Sequence, residues 1–447
     1  MTIAQAPLFG SVLDRPISYR SAGRQLVREV DLSLGATTAR MERLVDTGDA
    51  ERDWTISWLR GATPTYDAPK VGAVRSVDLF CGAGGLSIGT RAAVEAVGRR
   101  HAPLLAADLD PAALDVHDYN MGPRRPYRGS VRELFDPTLL DAADEASSVA
   151  TDAMVAAEWV RDLGDTDILV GGPPCQGHSN LNNRTRRSDA RNELYRWMAL
   201  AAHGLRAKIV VIENVPSVKA DAGDVVRRTI SLLRALGYLI TFDDVIAADR
   251  TGVAQTRRRH FLVAVRRELV NDHWNDAATW MHTPAPFTMT ALQAIEDLQD
   301  LGGQDDYDRP AALSKENRER VAYLHRENTF NLPNELRPEC HRDGNHTYDA
   351  VYGRMFVDKP APTLSTGFLS PGRGRYVHPT RPRTLTPHEG ARLQGFPDSF
   401  RFVGSSGRTP NRTVTARLIG DAVPPSMGFH VVLGALAMLT PGALDSA

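Results

Sequence analysis

Strand-like and helix-like segments alternate from residue 71 to about residue 270, and this alternation limits the fold more than any other feature of the chain. An apolar run at 74–80 is followed by a helical pattern at 86–98, and 103–110 is followed by 111–120. The remaining strand-like runs are 167–172, 208–215, 238–248 and 260–266. Helices between successive strands are typical of a doubly wound, largely parallel α/β sheet. Such sheets bind ligands beyond the carboxyl ends of their strands.

The chain before this region, 1–70, is predicted to be a helical extension. The apolar residues Leu26, Val27, Val30 and Leu34 have helix-like spacing. A helix-turn-helix is the less favoured alternative to a plain helical cap.

The chain after this region changes composition. Residues 271–400 are rich in Pro, Gly, His, Asn and Arg, which predicts a smaller, loop-rich domain with β-like pieces at 352–357 and 362–366. Helical and apolar character returns at 386–396 and 429–439. We expect 401–447 to return to the catalytic domain, 71–270.

Composition excludes several classes of protein. With 42% hydrophobic and 24% charged residues among 447, the chain is neither disordered nor fibrous. It has no apolar run long enough to span a bilayer and no signal-peptide pattern, so we expect a cytoplasmic protein without a membrane partner. Cys81, Cys175 and Cys340 are too few and too widely spaced for a disulfide framework or a zinc cluster, and no metal is expected. A net charge of −1 argues against a protein that coats nucleic acid but allows a local basic cleft.

A glycine-rich turn, DLFCGAGGLS at 78–87, joins the first strand to its helix. Its glycines let the backbone approach a ligand closely, and no Gly-Lys-Ser/Thr follows, so the turn is not a phosphate loop. The next strand ends in Asp108, which can accept hydrogen bonds from both hydroxyls of a ribose. Together these features predict a site for a nucleoside-containing cofactor; a plain glycine turn and a surface aspartate are the alternative.

Cys175 follows another strand, in GGPPCQGHS at 171–179. A thiol at a strand end, before a loop containing several arginines, can lose its proton and attack an electrophile. The alternative is a buried structural cysteine, but the flanking residues are polar and form turns.

Glu213 ends the next strand, in ENVP at 213–216. Desolvation would raise the pKa of this carboxyl and let it donate a proton; a simple ion pair with arginine is the alternative. In QTRRRHFLV, 255–263, three arginines lead into the last strand, with Arg257 and Arg259 on one face.

These four blocks, in this order, resemble the bacterial DNA (cytosine-5)-methyltransferase family, which uses S-adenosylmethionine. Two later blocks, 381–400 and 419–428, look like the last motifs of that family, and 352–368 resembles the end of its target-recognition domain. The resemblance covers roughly 71–440 and implies a Rossmann-like methyltransferase sheet with a smaller target-recognition domain.

The resemblance implies methyl transfer to C5 of a cytosine that is flipped out of a specific duplex DNA sequence. Cys175 would add to C6 of that base. Glu213 would protonate or hydrogen-bond N3 and the 4-amino group, offsetting the charge that develops. Arg259 would hold O2, with Arg257 in support.

The resemblance also implies the residues that contact S-adenosylmethionine, at the glycine turn, the strand ends and the last motif. They are Asp78, Phe80, Gly82, Gly84, Gly85, Asp108, Leu109, Ser130, Pro174, Leu194 and Asp421. Three of them depart from the family pattern: Leu109 stands where an aromatic is common, Ser130 where Asp is usual, and Asp421 where Asn is usual.

DNA contacts are expected from the loop after Cys175 and from the target-recognition domain. The residues are Ser179, Arg184, Arg186, Arg187, Thr363, Arg373 and Arg375. The implied partners are double-stranded DNA and a cognate restriction endonuclease. We expect a monomer in the bacterial cytoplasm, associated with the nucleoid.

Two other functions compete with this interpretation. A tRNA cytosine-5 methyltransferase on the same fold would share Cys175 and Glu213, but the Cys-Phe-Thr tripeptide of that branch is missing from the sequence. A catalytically dead DNA-binding regulator is disfavoured because Cys175, Glu213 and Arg259 are all present. Methyl transfer to duplex DNA or to tRNA would separate the three.

Overall fold

The structure is a computed structural model that describes most of the chain. The described residues are 15–68, 71–138, 140, 156–174, 190–301, 303, 305–342 and 350–445. Among the helices in these ranges, none is long and apolar enough to cross a membrane.

The strands form two sheets. In chain order they are β1 Ile17–Ala22, β2 Gln25–Leu32, β3 Gly35–Glu42, β4 Thr65–Tyr66, β5 Ala73–Leu79, β6 Arg100–Asp108, β7 Arg125–Arg128, β8 Ile168–Gly171, β9 Ile209–Asn214, β10 Tyr238–Ala247 and β11 Arg258–Arg266. The first four make an antiparallel sheet in the order β1-β2-β3-β4, and the others a seven-stranded sheet in the order β10-β11-β9-β8-β5-β6-β7. In the larger sheet only the pairings of β11 with β10 and β9 are antiparallel.

The helices of the described ranges lie between these strands and after them. They are α1 Ala50–Leu59, α2 Gly85–Ala96, α3 Pro111–Met121, α4 Glu158–Arg161, α5 Leu194–Gly204, α6 Val225–Ala235, α7 Trp274–His282, α8 Ala291–Ile295, α9 Lys315–Arg326, α10 Pro387–Leu393, α11 Arg412–Asp421 and α12 Pro425–Ala437.

Two apolar clusters cover the two faces of the larger sheet. Alternate residues of β8 divide between them: Leu169 packs in the cluster with α5 and α6, whereas Ile168 and Val170 pack in the cluster with α2 and α12. Both faces of the central strands are therefore buried, which explains their uninterrupted apolar sequences. The doubly wound α/β architecture predicted from those sequences is confirmed.

The helical prediction for the N-terminal extension is wrong over 15–42, because these residues form three antiparallel strands. Ala22 pairs with Gln25 and Leu32 with Gly35, so each connection is a two-residue hairpin loop. Gly23 supplies the positive φ of the first loop, +64°. Leu26 and Val30 are four residues apart, and this spacing fits one face of a strand as well as one face of a helix.

The small sheet packs against the catalytic part of the chain. Ile17, Val30 and Leu32 belong to the same buried cluster as α2 and α12. The Ser33 hydroxyl donates to the Leu439 carbonyl (2.6 Å). The extension is thus part of the same packed body.

In the described part of 271–400, the β-like pieces predicted at 352–357 and 362–366 form no strand. The first piece contains an isolated bridge, Arg354 with Val377, and Ala361, just before the second piece, forms another with Gln255. A third apolar cluster joins this segment to the rest, since Met355 and Phe396 share it with Ile88 of α2. The domain boundaries stay a prediction.

Candidate active site

The glycine-rich turn leaves β5 in a strained conformation and leads into α2. Phe80 has φ of +60°, unusual for a residue with a side chain, and Gly82 and Gly84 also have positive φ. Gly84 is the N-cap of α2. A Cβ atom on Gly85 would lie 2.1 Å from the Val423 carbonyl oxygen, so glycine there allows the segment after α11 to touch the turn.

Asp108, at the end of β6, holds this turn in place. One of its carboxylate oxygens accepts from the Gly82 amide (2.9 Å) and the other from the Asp110 amide (2.8 Å). Burial raises the pKa of Asp108, although these amides oppose the shift. The carboxylate thus lies beside the turn, at the edge of the sheet where the sequence predicted a ribose site.

A cleft of about 320 Å³ opens at the carboxyl ends of the strands. Every residue predicted to bind the cofactor lines it except Gly84, which packs on the ring of His117 instead. Glu213 and Arg259 line the same cleft. The predicted cofactor residues and two predicted catalytic residues therefore meet in one place.

Glu213 and Arg259 form an ion pair on neighbouring antiparallel strands. Arg259 Nε lies 2.7 Å from Glu213 Oε1, and Glu213 is only 8% exposed. Burial raises the pKa of Glu213, against the opposing charges of Arg259, Arg257 and His260. Glu213 thus forms the arginine ion pair that the sequence offered as an alternative to proton donation. Its raised pKa nevertheless makes the carboxyl easier to protonate than usual.

Arg257 is buried and does not line the cleft. Its Nη1 donates to the Leu364 carbonyl (3.1 Å). The neighbouring Gln255 accepts from the Leu364 amide (2.9 Å), so the start of β11 is bound to the segment 361–364. Of the two arginines, Arg259 lines the cleft, whereas Arg257 binds the backbone of another segment.

Five predicted residues lie outside the described ranges: Cys175, Ser179, Arg184, Arg186 and Arg187. The described chain reaches Pro174, which lines the cleft. The Asn214 side chain donates to the Pro173 carbonyl (3.2 Å) and so binds this approach to the end of β9.

The predicted DNA contacts at 363–375 have different surroundings. Thr363 and Arg373 are exposed. Arg375 is half-buried, and its guanidinium donates to the Phe330 and Arg354 carbonyls and to the Asn331 side chain (2.8, 3.0 and 2.6 Å). Its hydrogen-bonding capacity is therefore largely used inside the protein.

Sequence reasoning missed two groups at the cleft. Arg417 of α11 forms an ion pair with Asp110, the N-cap of α3, and both residues line the cleft. The Asp-Pro pair at 110–111 signals a helix start, but nothing in the sequence places Arg417 beside it.

The second group lies beneath the turn and was missed only in part, because Asp78 was predicted as a cofactor contact but Ser87 and His117 were not. Asp78 Oδ2 accepts from the Ser87 hydroxyl (2.6 Å), which also lies within hydrogen-bond distance of His117 Nε2 (3.1 Å). Burial raises the pKa of Asp78 to about 7 and lowers that of His117 to about 4. The other oxygen of Asp78 has no hydrogen-bond partner among the described residues. Within those residues no group of His, Cys, Asp and Glu side chains is arranged to bind a metal.

Comparison with known proteins places this architecture in a family. The family model for C-5 cytosine-specific DNA methylases matches residues 74–433. The Type II methyltransferase M1.BsuMI of Bacillus subtilis is 34% identical over 92% of this chain and 93% of its own length. The Type II methylase M.HgiDII of Herpetosiphon aurantiacus is 31% identical over 80% of this chain and 93% of its own length.

Among solved structures, a prophage-encoded protein of E. coli described as a DNA modification methyltransferase has the same fold. Its TM-score is 0.53 at 22% identity, over 82% of this chain and 99% of its own. The family match spans most of this chain, and two relatives exceed 30% identity over most of its length. The chain therefore belongs to the C-5 cytosine-specific DNA methylases and is a DNA (cytosine-5)-methyltransferase.

Proposed function

We propose that the chain methylates C5 of a cytosine flipped out of duplex DNA, through a covalent bond between Cys175 and C6 of the base. The observation that carries this proposal is the meeting of Glu213, Arg259 and Pro174 with the glycine turn and Asp108 in one cleft. Pro174 directly precedes Cys175 in the chain. An acid, a cation and the approach to a thiol thus share a cleft with the candidate cofactor residues.

The cleft residues fit S-adenosylmethionine, the cofactor that the family implies. Asp108 offers carboxylate oxygens to the ribose hydroxyls at the end of β6. The unpartnered oxygen of Asp78 suits an N–H donor such as the amino group of the methionine part. When bound, S-adenosylmethionine supplies an electrophilic methyl group.

Glu213 and Arg259 can activate the cytosine. With its pKa raised, Glu213 can hold a proton at N3, while Arg259 donates to O2 from the next strand. The proton at N3 and the hydrogen bond to O2 withdraw electrons from the ring and stabilise the charge that develops when C6 is attacked. The ion pair keeps both side chains oriented before the base arrives.

The Cys175 thiolate then adds to C6, and the electron pair of the C5–C6 double bond becomes available at C5. Bound S-adenosylmethionine would supply the methyl group to C5, its carbon–sulfur bond breaking as the new bond forms and the electron pair staying on the sulfur of the departing S-adenosylhomocysteine. A base then removes the C5 proton, and the electron pair of that C–H bond re-forms the C5–C6 double bond as the thiolate leaves. Since C6 is inaccessible within the duplex, the base must leave the stack. The same chemistry would operate on tRNA, so the substrate needs a direct test.

Duplex DNA containing 5-fluorocytosine tests the covalent step. Fluorine cannot leave C5 as a cation, so the adduct should accumulate, and mass spectrometry should place it on the peptide containing Cys175. Cys81 is the internal control: it is buried, and burial raises its pKa, so its thiol should stay unreacted. An adduct on Cys81 would reassign the nucleophile. Labelled methyl transfer to tRNA in preference to DNA would reject the proposed substrate.

We also propose a cognate restriction endonuclease as a partner, because two relatives are Type II enzymes by name. Bisulfite sequencing of DNA from cells that express the chain would give the methylated sequence. Methylation scattered over unrelated sequences would argue against such a partner, since protection requires one defined site.

A further inference from the structure

A second cavity, of about 690 Å³, lies apart from the catalytic cleft; we call it the aromatic cavity. The small N-terminal sheet and α1 form one side, and α2, the start of α12 and the 395–401 segment form the other. Its aromatic side chains come from several elements: Tyr19, Trp54, Trp58, Tyr66, Tyr119, Phe400 and Phe429. The volume is that of a small-molecule site.

Arg28 of β2 is a buried cation on this lining, only 5% exposed. Its guanidinium carbon lies 4.8 Å from the ring centre of Trp54 and 5.4 Å from that of Phe429. Both rings therefore lie within cation–π distance of the guanidinium.

The partners of Arg28 in the described part of the chain are weak for a buried charge. Its Nη2 donates to the Tyr66 hydroxyl at 3.3 Å, and its Nε has no hydrogen-bond partner. Burial raises the pKa of both Tyr19 and Tyr66, so neither phenol supplies a negative charge. Buried guanidinium groups are normally paired with an anion, and this one faces a cavity.

The charges around the cavity favour an anionic occupant. The described lining contains four arginines and a single acidic residue, Glu95, which already has a partner. Of the other arginines, Arg392 pairs with Asp297 and Asp398, and Arg91 donates to the Asn120 carbonyl. Arg28 is the buried cation on the lining whose charge is left unpaired within the described residues.

We propose that the aromatic cavity binds a small organic anion that carries a flat aromatic group. Arg28 would hold the anionic group at its free edge, and the rings of Trp54, Trp58 and Tyr66 would contact the flat part. This site is separate from the methyl-transfer cleft and does not depend on the function proposed for it.

The fluorescent probe 1-anilinonaphthalene-8-sulfonate tests this proposal together with its neutral analogue N-phenyl-1-naphthylamine, which lacks the sulfonate. The wild-type protein should bind the sulfonate more tightly than the neutral probe. Arg28→Met keeps the length of the side chain but removes its charge. It should weaken sulfonate binding about tenfold or more while changing the neutral probe little.

Two further variants locate the binding. Ala92→Phe fills the cavity from α2 and should weaken both probes, whereas Arg20→Met removes an exposed arginine of the same sheet and should weaken neither. Circular dichroism and the thermal midpoint confirm folding. If Arg28→Met does not fold, the wild-type preference for the sulfonate and the effect of Ala92→Phe still decide the question.

Equal affinity of the wild-type protein for the two probes would overturn the proposal, and so would an equal loss of both probes in Arg28→Met. Competition identifies the anionic group. If 1-naphthoate displaces the sulfonate at the lower concentration, the site takes a carboxylate; if adenosine 5′-monophosphate does, it takes a phosphate. Failure of both to displace it would count against a natural anion site.

Discussion

Glu213 is a buried carboxyl that pairs with Arg259, and the rise in its pKa on burial favours proton donation. Glu213→Gln keeps the shape of the side chain but removes the ionisable proton. We expect kcat for methyl transfer to fall about 100- to 10,000-fold, while the dissociation constant of S-adenosylhomocysteine stays unchanged. Labelled-methyl assays and calorimetry measure the two quantities. Arg258→Gln, at an exposed position of the neighbouring strand β11, is the control and should retain activity.

The raised pKa of Glu213 also fixes the sign of a pH effect. Burial raises that pKa despite Arg259, so Glu213 loses its proton only at a pH above its ordinary value. Activity that depends on the protonated form should fall as pH rises through the raised pKa. The pH dependence of the rate should be measured for the wild-type enzyme and for Glu213→Gln. If the variant shows the same fall in activity with rising pH, the fall belongs to another group.

The residues that line the cleft could be predicted from sequence only where a motif and a strand end coincide. Asp108 and Glu213 lie at the ends of strands and Pro174 follows another strand, and the parallel pairing brings them together at one edge of the sheet. Strand periodicity alone did not separate Arg257 from Arg259, since both were expected on one face, and only the family resemblance gave them different roles. In the structure Arg259 lines the cleft and Arg257 binds the Leu364 carbonyl. The ion pair of Arg417 with Asp110 was unpredictable because no local pattern encodes a contact across three hundred residues of chain.

At the scale of elements, α2 and the segment after α11 approach closely because Gly85 has no side chain. In Gly85→Ala the added carbon would lie 2.1 Å from the Val423 carbonyl, and the resulting strain should cost about 1–3 kcal/mol of stability. Val423 also lines the cleft at the carboxyl ends of the strands, so Gly85→Ala should bind S-adenosylhomocysteine more weakly than the wild-type protein does. Gly122→Ala is the control for a change of glycine to alanine without a steric clash. Its added Cβ would meet open space, although its φ is +55°. Equal affinity in the two variants would show that the close approach does not shape the cleft.

A second element-scale contact links the loop at 305–308 to α10. His388 Nδ1 lies 2.7 Å from Asp308, and Nε2 lies 2.9 Å from Asp398, which also binds Arg392. Burial works to lower the pKa of His388, but the two carboxylates outweigh it and raise the pKa. The protonated histidine should therefore stabilise the fold at low pH, and this stabilisation should disappear as pH rises through the raised pKa.

His388→Gln tests that linkage. The difference in free energy of unfolding between wild type and variant should be largest below the ordinary histidine pKa of about 6.5 and should shrink as pH increases. Denaturant unfolding at a series of pH values measures it. A difference that stays constant with pH would mean that His388 contributes packing alone.

The elements themselves were predictable to different degrees. Strands buried on both faces, such as β8 and β9, have continuous apolar sequences that identify them. β7, Arg125–Arg128, was missed because it is a short polar strand at the edge of the sheet. The N-terminal strands were mistaken for helix because the spacing of Leu26 and Val30 fits both periods, and the turn at Gly23 was the better signal.

At the scale of the whole molecule, a chain with a net charge of −1 has to bind a polyanion. Only five of its 53 basic residues are lysines, so the cations are mainly arginines that can also form buried ion pairs. Arg392 and Arg375 show this internal use, since both are bound to groups of the protein. We therefore expect DNA affinity to depend on the smaller set of arginines that remain exposed.

Salt dependence of DNA binding separates these two uses of arginine. Arg373 is exposed, and if it contacts a phosphate, Arg373→Gln should flatten the log–log salt slope by about 0.9. Arg375→Gln removes hydrogen bonds to Phe330, Arg354 and Asn331, so it should lower the thermal midpoint and leave the slope of the folded protein unchanged. Fluorescence anisotropy with a labelled duplex across a salt series, alongside thermal unfolding, measures both effects.

The opposite pattern, a flatter slope for Arg375→Gln at unchanged stability, would show that DNA draws this guanidinium out of its internal bonds. An unchanged slope with relaxed sequence preference for Arg373→Gln would instead assign Arg373 to a base edge.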